Sequence, residues 1–343
     1  MGAGMKVSIF SVQDHYPDRA RSLRAFYGEV LDQAVLAEEL GYAGFFVAEH
    51  HFHPYGAVPD PAVFLTAIAG RTRTLRLGTA IAALPFHDPR DLAERYAMLD
   101  VLSGGRLDLG VGSGYLPHEF AGFGIDPDDK RARFEERLPV LEALLAGETV
   151  SHDGRFESFA DVTLNVRPVQ DPIPMWQAIL RRESAAEVGR AGRRMMCVPY
   201  ASLDSWAQLP DFVGAFHAGR REAGNPAGPD DLLMALHTFV AETDEAARQA
   251  AAAAFDLYVE TRLYAKRAVY DDILERGLCL FGSVETVARK LDDLAAMGVG
   301  HVLALQNFGA LAHADVCASM RRLAREAVPA MRGVSAQAAL QRA

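Results

Sequence analysis

The residues best suited to proton chemistry crowd into Glu49-His50-His51-Phe52-His53, one carboxylate and three imidazoles in a single short run. Imidazole is the side chain whose ordinary pKa lies nearest neutrality, so it can take or give a proton at little cost. His50 is the candidate acid/base group; the plainer reading is a hydrogen-bonded histidine in a structural rim. His51 and His53 also form an H-x-H pair, with which many barrel hydrolases open a metal site. Such a site needs ligands on later strand ends, where this chain offers Trp176-Gln177-Ala178, and neither His237 nor His301 completes a recognisable set. No metal is expected.

Two further stretches suit an anionic cofactor. Gly112-Ser113-Gly114-Tyr115 is a glycine-rich turn in which backbone can approach a ligand closely, or simply turn tightly. It fails as a dinucleotide fingerprint, because the third glycine position after Gly110 and Gly112 falls on Tyr115. Arg181 and Arg182 stand in what the pattern predicts as a helix start at Arg181-Arg182-Glu183-Ser184. Cations there oppose the helix dipole at a cost of a few tenths of a kcal/mol, roughly, which a docked phosphate would offset. Ser184 would add a hydroxyl. The alternative is a pair of solvated surface arginines.

The surrounding elements must bring these stretches together. Leu36 to Gly41 reads as a helix end with Gly41 at its cap, and Phe45–Ala48 as a strand that runs into the histidines. Strand alternation predicts opposite faces for Glu49 and His50. Pro54, Gly56, Pro59 and Pro61 forbid continued regular structure beyond. Further apolar strands are predicted at 6–11, 75–81, 106–112, 174–179, 195–198, 233–240 and 301–305. Helical periodicity fills most gaps, with Asp88-Pro89 as a start signal, Gly104-Gly105 as a stop, and Pro139 expected to kink its helix. Two segments depart from alternation: a small hairpin around His152-Asp153-Gly154-Arg155, ahead of strand five, and a long helical stretch, 244–275, between strands seven and eight.

Eight apolar strands separated by helices imply parallel pairing and a closed (β/α)8 TIM barrel, with an open doubly wound sheet as the rival. In a barrel, loops at the C-terminal strand ends build the site, and all three stretches above lie at such ends. We expect one barrel domain over 1–332 and a loose tail over 333–343.

Composition narrows the class. The 343 residues are half hydrophobic and carry a net charge of −10, with no basic stripe of the kind nucleic-acid binding needs. No apolar run approaches the ~18 residues of a membrane span, and residues 1–6 lack a leader's apolar core. Cys197, Cys279 and Cys317 are odd in number and far apart, which suits a reducing cytoplasm.

Six motifs in order give the chain a family resemblance: Glu49-His50-His51-Phe52, Gly78-Thr79-Ala80, Leu102-Ser103-Gly104-Gly105-Arg106, Gly110-Val111-Gly112-Ser113-Gly114-Tyr115, Gly282-Ser283-Val284-Glu285 and Asn307-Phe308-Gly309. The chain resembles the bacterial luciferase-like flavin-dependent oxidoreductases over nearly its whole length. That resemblance implies a TIM barrel binding FMN or, in some branches, F420. It implies a catalytic histidine at His50, a non-prolyl cis peptide at Ala80-Ile81, and a flavin phosphate near the ends of strands four and five. The cofactor-binding residues expected are Ala80, Gly112, Ser113, Gly114, Tyr115, Arg181, Arg182 and Ser184. Luciferase carries arginine where this chain has Ser113, so Arg181 or Arg182 is expected to supply the missing charge. The implied activity is a monooxygenase that uses reduced FMN from a separate reductase, and O2, on a small organic substrate, in a cytoplasmic homodimer. The alternatives are an F420-dependent hydride-transfer oxidoreductase and a flavin-binding protein without turnover.

Overall fold

Phe45, Phe46 and Val47 are apolar in succession and fully buried, the pattern of a strand covered on both faces. That pattern repeats around a barrel in the computed structural model, which describes residues 5–53, 55–262 and 268–331. In chain order the strands are β1 (Lys6–Ser11), β2 (Gly44–Val47), β3 (Arg76–Thr79), β4 (Ala82–Ala83), β5 (Leu107–Gly112), β6 (Val150–Asp153), β7 (Ser158–Val162), β8 (Met175–Ile179), β9 (Arg194–Cys197), β10 (Leu232–Ala241), β11 (Leu280–Ser283) and β12 (His301–Asn307). The ring runs β1-β2-β3-β5-β8-β9-β10-β12 and closes through parallel pairing of β12 with β1. This is the (β/α)8 TIM barrel, and β6 with β7 forms the expected antiparallel hairpin ahead of the fifth barrel strand, β8.

Helices cover the outside where caps and apolar faces coincide. Asp88 accepts from the Arg90 amide at 2.8 Å with Pro89 next in line, and Gly104 ends the helix Pro89–Ser103 in the left-handed conformation. Pro139 sits inside the continuous helix Lys130–Leu145.

Two strands differ from expectation. The third was expected to run to Ile81 but stops at Thr79, because the Thr79 hydroxyl replaces backbone in the ladder. It donates to the Gly110 carbonyl at 2.7 Å and accepts from the Gly110 amide at 2.9 Å. The Ala80–Ile81 peptide is cis, and pairing with β5 resumes at β4.

The seventh barrel strand is longer than expected and serves two sheets. The first half of β10 pairs with β9 and β12; its second half, Thr238–Ala241, pairs with β11. The helical insertion hangs from this fork as Asp244–Thr261 and Tyr270–Arg276. Residues 263–267 within it, and the tail expected from 333, lie outside the described residues. No described helix is long and apolar enough to cross a membrane.

Candidate active site

Because all barrel strands are parallel, their C-terminal ends share one rim, and a cavity of about 720 Å³ opens there. Residues just past five strands line it: His50 after β2, Ala80 after β3, Ser113 after β5, Arg181 after β8 and Val198 after β9. Gly112, Gly114, Tyr115 and Ser184 join that lining, so all but one of the residues singled out above meet at one place. The exception is Arg182. It lies outside the lining and faces Asp211 across 3.7 Å, so of the two arginines expected together only Arg181 reaches this cavity.

The helix after β8 also begins later than expected, at Ser184. Arg181 and Arg182 occupy a tight turn in which their carbonyls accept from Ser184 and Ala185 at 3.2 and 3.3 Å. Gly112 has a reason of its own to be glycine. A Cβ there would meet Ile81 Cδ1 at 2.5 Å, so a larger residue would have to displace the tip of that side chain.

Glu49 and His50 both line the cavity, against the expected alternation. The reason is that β2 ends at Val47, so strand geometry no longer governs them. Glu49 is buried and accepts from His51 Nε2 at 3.0 Å, His87 Nε2 at 2.7 Å and the Ala83 amide at 3.2 Å. Burial pushes its carboxyl upward, but the bonds and attraction from the two imidazoles outweigh this and hold it at about 2. A carboxylate has no proton to donate, so both rings must present N–H to it. These three residues are the one group of potential metal donors among the described residues, within 4.8 Å of one another, and their geometry is that of a shared hydrogen-bond acceptor. His53 of the H-x-H pair packs instead beside Tyr55 and His118.

His50 is contacted on both ring nitrogens. Nδ1 lies 3.0 Å from Glu119 Oε1, which also accepts the His51 amide at 3.0 Å. Nε2 meets the guanidinium of Arg262, whose other end pairs with Asp14. Burial and the guanidinium push the His50 pKa well down, against the opposing pull of Glu49. Burial raises both Glu119 and Asp14. With Glu119 on one nitrogen and Arg262 on the other, both ring nitrogens of His50 are engaged at the cavity wall.

Sequence reasoning missed Asp14, Glu119 and Arg262. Glu119 lies shortly after the glycine-rich turn, in Pro117–Phe123, and its proximity to that turn was a usable signal. Arg262 lies 212 residues from His50 in the chain, and no local spacing announces it. Gln306 and Asn307, at the end of β12, lie outside the lining, and Asn307 Nδ2 donates to Gln33 Oε1 on the helix Leu23–Glu39 at 2.9 Å.

At the opposite chemical extreme, Lys130 and Arg181 line the cavity with no ion-pair partner among the described residues, whereas Arg131 is held by Glu135 at 2.7 Å and Arg193 by Glu142 at 3.3 Å.

Comparison with known proteins agrees with this geometry. The monooxygenase RslO1 from Streptomyces bottropensis superposes with a TM-score of 0.85 at 32% identity, covering 95% of this chain and 99% of that one. The oxygenase component of a flavin-dependent trigonelline monooxygenase from Acinetobacter baylyi is 28% identical over 250 residues, 72% of this chain and 68% of that protein. An F420-dependent glucose-6-phosphate dehydrogenase from Beutenbergia cavernae is 36% identical over 216 residues, 61% of this chain and 63% of that protein. The luciferase-like monooxygenase model matches residues 5–301. The chain, a (β/α)8 barrel matched over that span, belongs to the luciferase-like monooxygenase family.

Proposed function

We propose that this chain is the oxygenase of a two-component flavin system, using reduced FMN and O2 to oxidise a small organic substrate. The observation that carries the reading is the polarity of the cavity: its lining includes a buried imidazole, His50, and two cations, Lys130 and Arg181, that no described carboxylate neutralises. Unpaired cations on a cavity wall favour an anionic ligand group, and a phosphate takes up charge-assisted hydrogen bonds readily. Arg181 then replaces the arginine that luciferase carries at the position of Ser113, and the Ser184 hydroxyl stands in the same lining.

The residues fit FMN in this sense: Lys130, Arg181 and Ser184 would hold the phosphate, the Ala80 and Gly112–Tyr115 segments would take the ring, and His50 would manage a proton beside it. When bound, reduced flavin supplies the electrons that activate oxygen. The Tyr55, Tyr115 and Tyr258 rings around His50 and Arg262 help exclude water. The oxygenase-component relative supports a separate reductase as partner.

The F420-dependent relative favours a second reading, hydride transfer without oxygen. Parallel titrations with reduced FMN and with F420, followed by oxygen-electrode traces, separate the two. The proposal expects tight reduced-FMN binding and oxygen uptake that depends on it. Binding of F420 alone would establish the hydride reading, and flavin binding without turnover a storage role. His50→Gln should keep flavin bound and lower turnover by about 10²-fold or more.

A further inference from the structure

We propose that Arg262 is a positioning residue that fixes His50 as the neutral Nδ1–H tautomer in the resting site. The inference rests on His50 being the proton-transfer group of the proposed function. Its argument is one of donor counting. A guanidinium has only N–H donors and no acceptor, and it stays protonated at any pH the fold survives. Its N–H is directed at His50 Nε2, so Nε2 must present a lone pair. The ring proton then resides on Nδ1, 3.0 Å from Glu119 Oε1, which can accept it.

Arg262 is held so that this choice is not free to drift. It is 1% exposed, donates to Asp14 and to the Val12 carbonyl at 3.3 Å, and lies between the rings of Tyr55 and Tyr258 at 4.8 and 5.0 Å. Asp14 in turn accepts the Gly309 amide at 2.9 Å. Segments after β1, β2 and β12, the helix Pro117–Phe123 and the end of the insertion helix Asp244–Thr261 therefore converge on one imidazole. Swinging Arg262 away would leave Asp14 buried without its counter-charge, which resists the motion.

Other groups face the ring as well. Glu49 and His51 come from its own segment, Tyr55 from the loop beyond, Tyr115 from the turn after β5, and His118 with Glu119 from the helix Pro117–Phe123. Of these, the carboxylates favour the protonated ring, and only Arg262 supplies a permanent cation in hydrogen-bond contact with it. The insertion thus reaches the imidazole through Arg262 and fixes the ring's protonation state.

The test is ring-nitrogen NMR on the full chain labelled with 15N-histidine, without flavin, with His50 assigned by the signal lost in His50→Gln. Wild type should show a protonated Nδ1 and a lone-pair Nε2, unchanged down to about pH 5.5. Arg262→Gln should give a tautomer mixture and raise the titration midpoint by about one pH unit or more. Arg262→Lys, which keeps a charged donor, should preserve the wild-type pattern. Wild-type signals showing Nε2–H, or an Arg262→Gln protein with the wild-type pattern, would overturn the inference. If Arg262→Gln fails to fold, as the remaining histidine signals would reveal, the wild-type tautomer alone still decides. Because no flavin is present, a wrong cofactor assignment leaves this result standing. Oxygen uptake with reduced FMN in a protein showing the wrong tautomer sinks this inference alone.

Discussion

Replacing Glu49 with glutamine removes one charge from the most heavily engaged carboxylate of the site while keeping its shape. In the native chain, burial opposes ionisation, but His51 and His87 bring the pKa from the ordinary 4.5 to about 2. At roughly 1.4 kcal/mol per tenfold change in proton affinity, that difference corresponds to about 3 kcal/mol of stability. The sign follows from the direction: a depressed carboxyl stabilises the fold fully above its unfolded value. That contribution is lost as pH falls from about 4.5 through the folded value near 2. Glutamine keeps one acceptor oxygen for the two imidazole N–H groups, which already share Glu49 Oε1, but its amide nitrogen cannot accept from the Ala83 amide that now meets Glu49 Oε2 at 3.2 Å. We therefore expect Glu49→Gln to unfold in urea with about 2–3 kcal/mol less stability at pH 7, and the gap to shrink steadily between pH 4.5 and pH 3. Urea titrations of both proteins at matched pH values check this. A gap that stays constant over the same range would show that the hydrogen bond from Ala83, and not the charge, is what Glu49 contributes.

Arg181→Ala should weaken reduced-FMN binding by about 1–3 kcal/mol, with Lys130→Ala acting in the same direction and Arg182→Ala leaving the affinity unchanged; calorimetric titration separates them. Gly110→Ala places a Cβ 2.2 Å from the Thr79 carbonyl and should cost about 3 kcal/mol or fold poorly. Gly28→Ala meets nothing within 4 Å in a helix interior and should stabilise by about 0.5–1 kcal/mol, both read from thermal melts. Buried Arg137 donates to the Leu84 and Pro85 carbonyls, at 3.2 and 2.6 Å, and to Glu157. Arg137→Met should destabilise by about 3 kcal/mol and raise amide exchange across residues 84–87 before the rest of the barrel.

The architecture was legible because its signals are local and repeated. Buried parallel strands read as apolar runs, and caps such as Asp88-Pro89 and Gly104 mark the helix between them. The rim stretches were legible for the same reason, since each sits directly after a strand. What escaped depends on contacts far apart in the chain. The charge pair Asp14–Arg262 spans 248 residues, and neither member has a neighbour that betrays it. Arg182 was misplaced because one residue of phase decides whether a turn side chain faces inward, and the helix start slipped from 181 to 184. The Thr79 hydroxyl that ends β3 could not be foreseen from a propensity that favours threonine in strands.

The fork of β10 bears on how the mouth of this barrel can be rebuilt. Because Thr238–Ala241 finds its backbone partners in β11, on the far side of the helical segment, the cap is stitched to the wall rather than threaded onto it. Excising residues 244–276 for a short linker would remove the crossover that the parallel strands β10 and β11 need, leaving the upper course of β10 unpaired with an open edge to solvent. Grafts between relatives should accordingly carry everything from Thr238 to Ser283 as one cassette, Arg262 included.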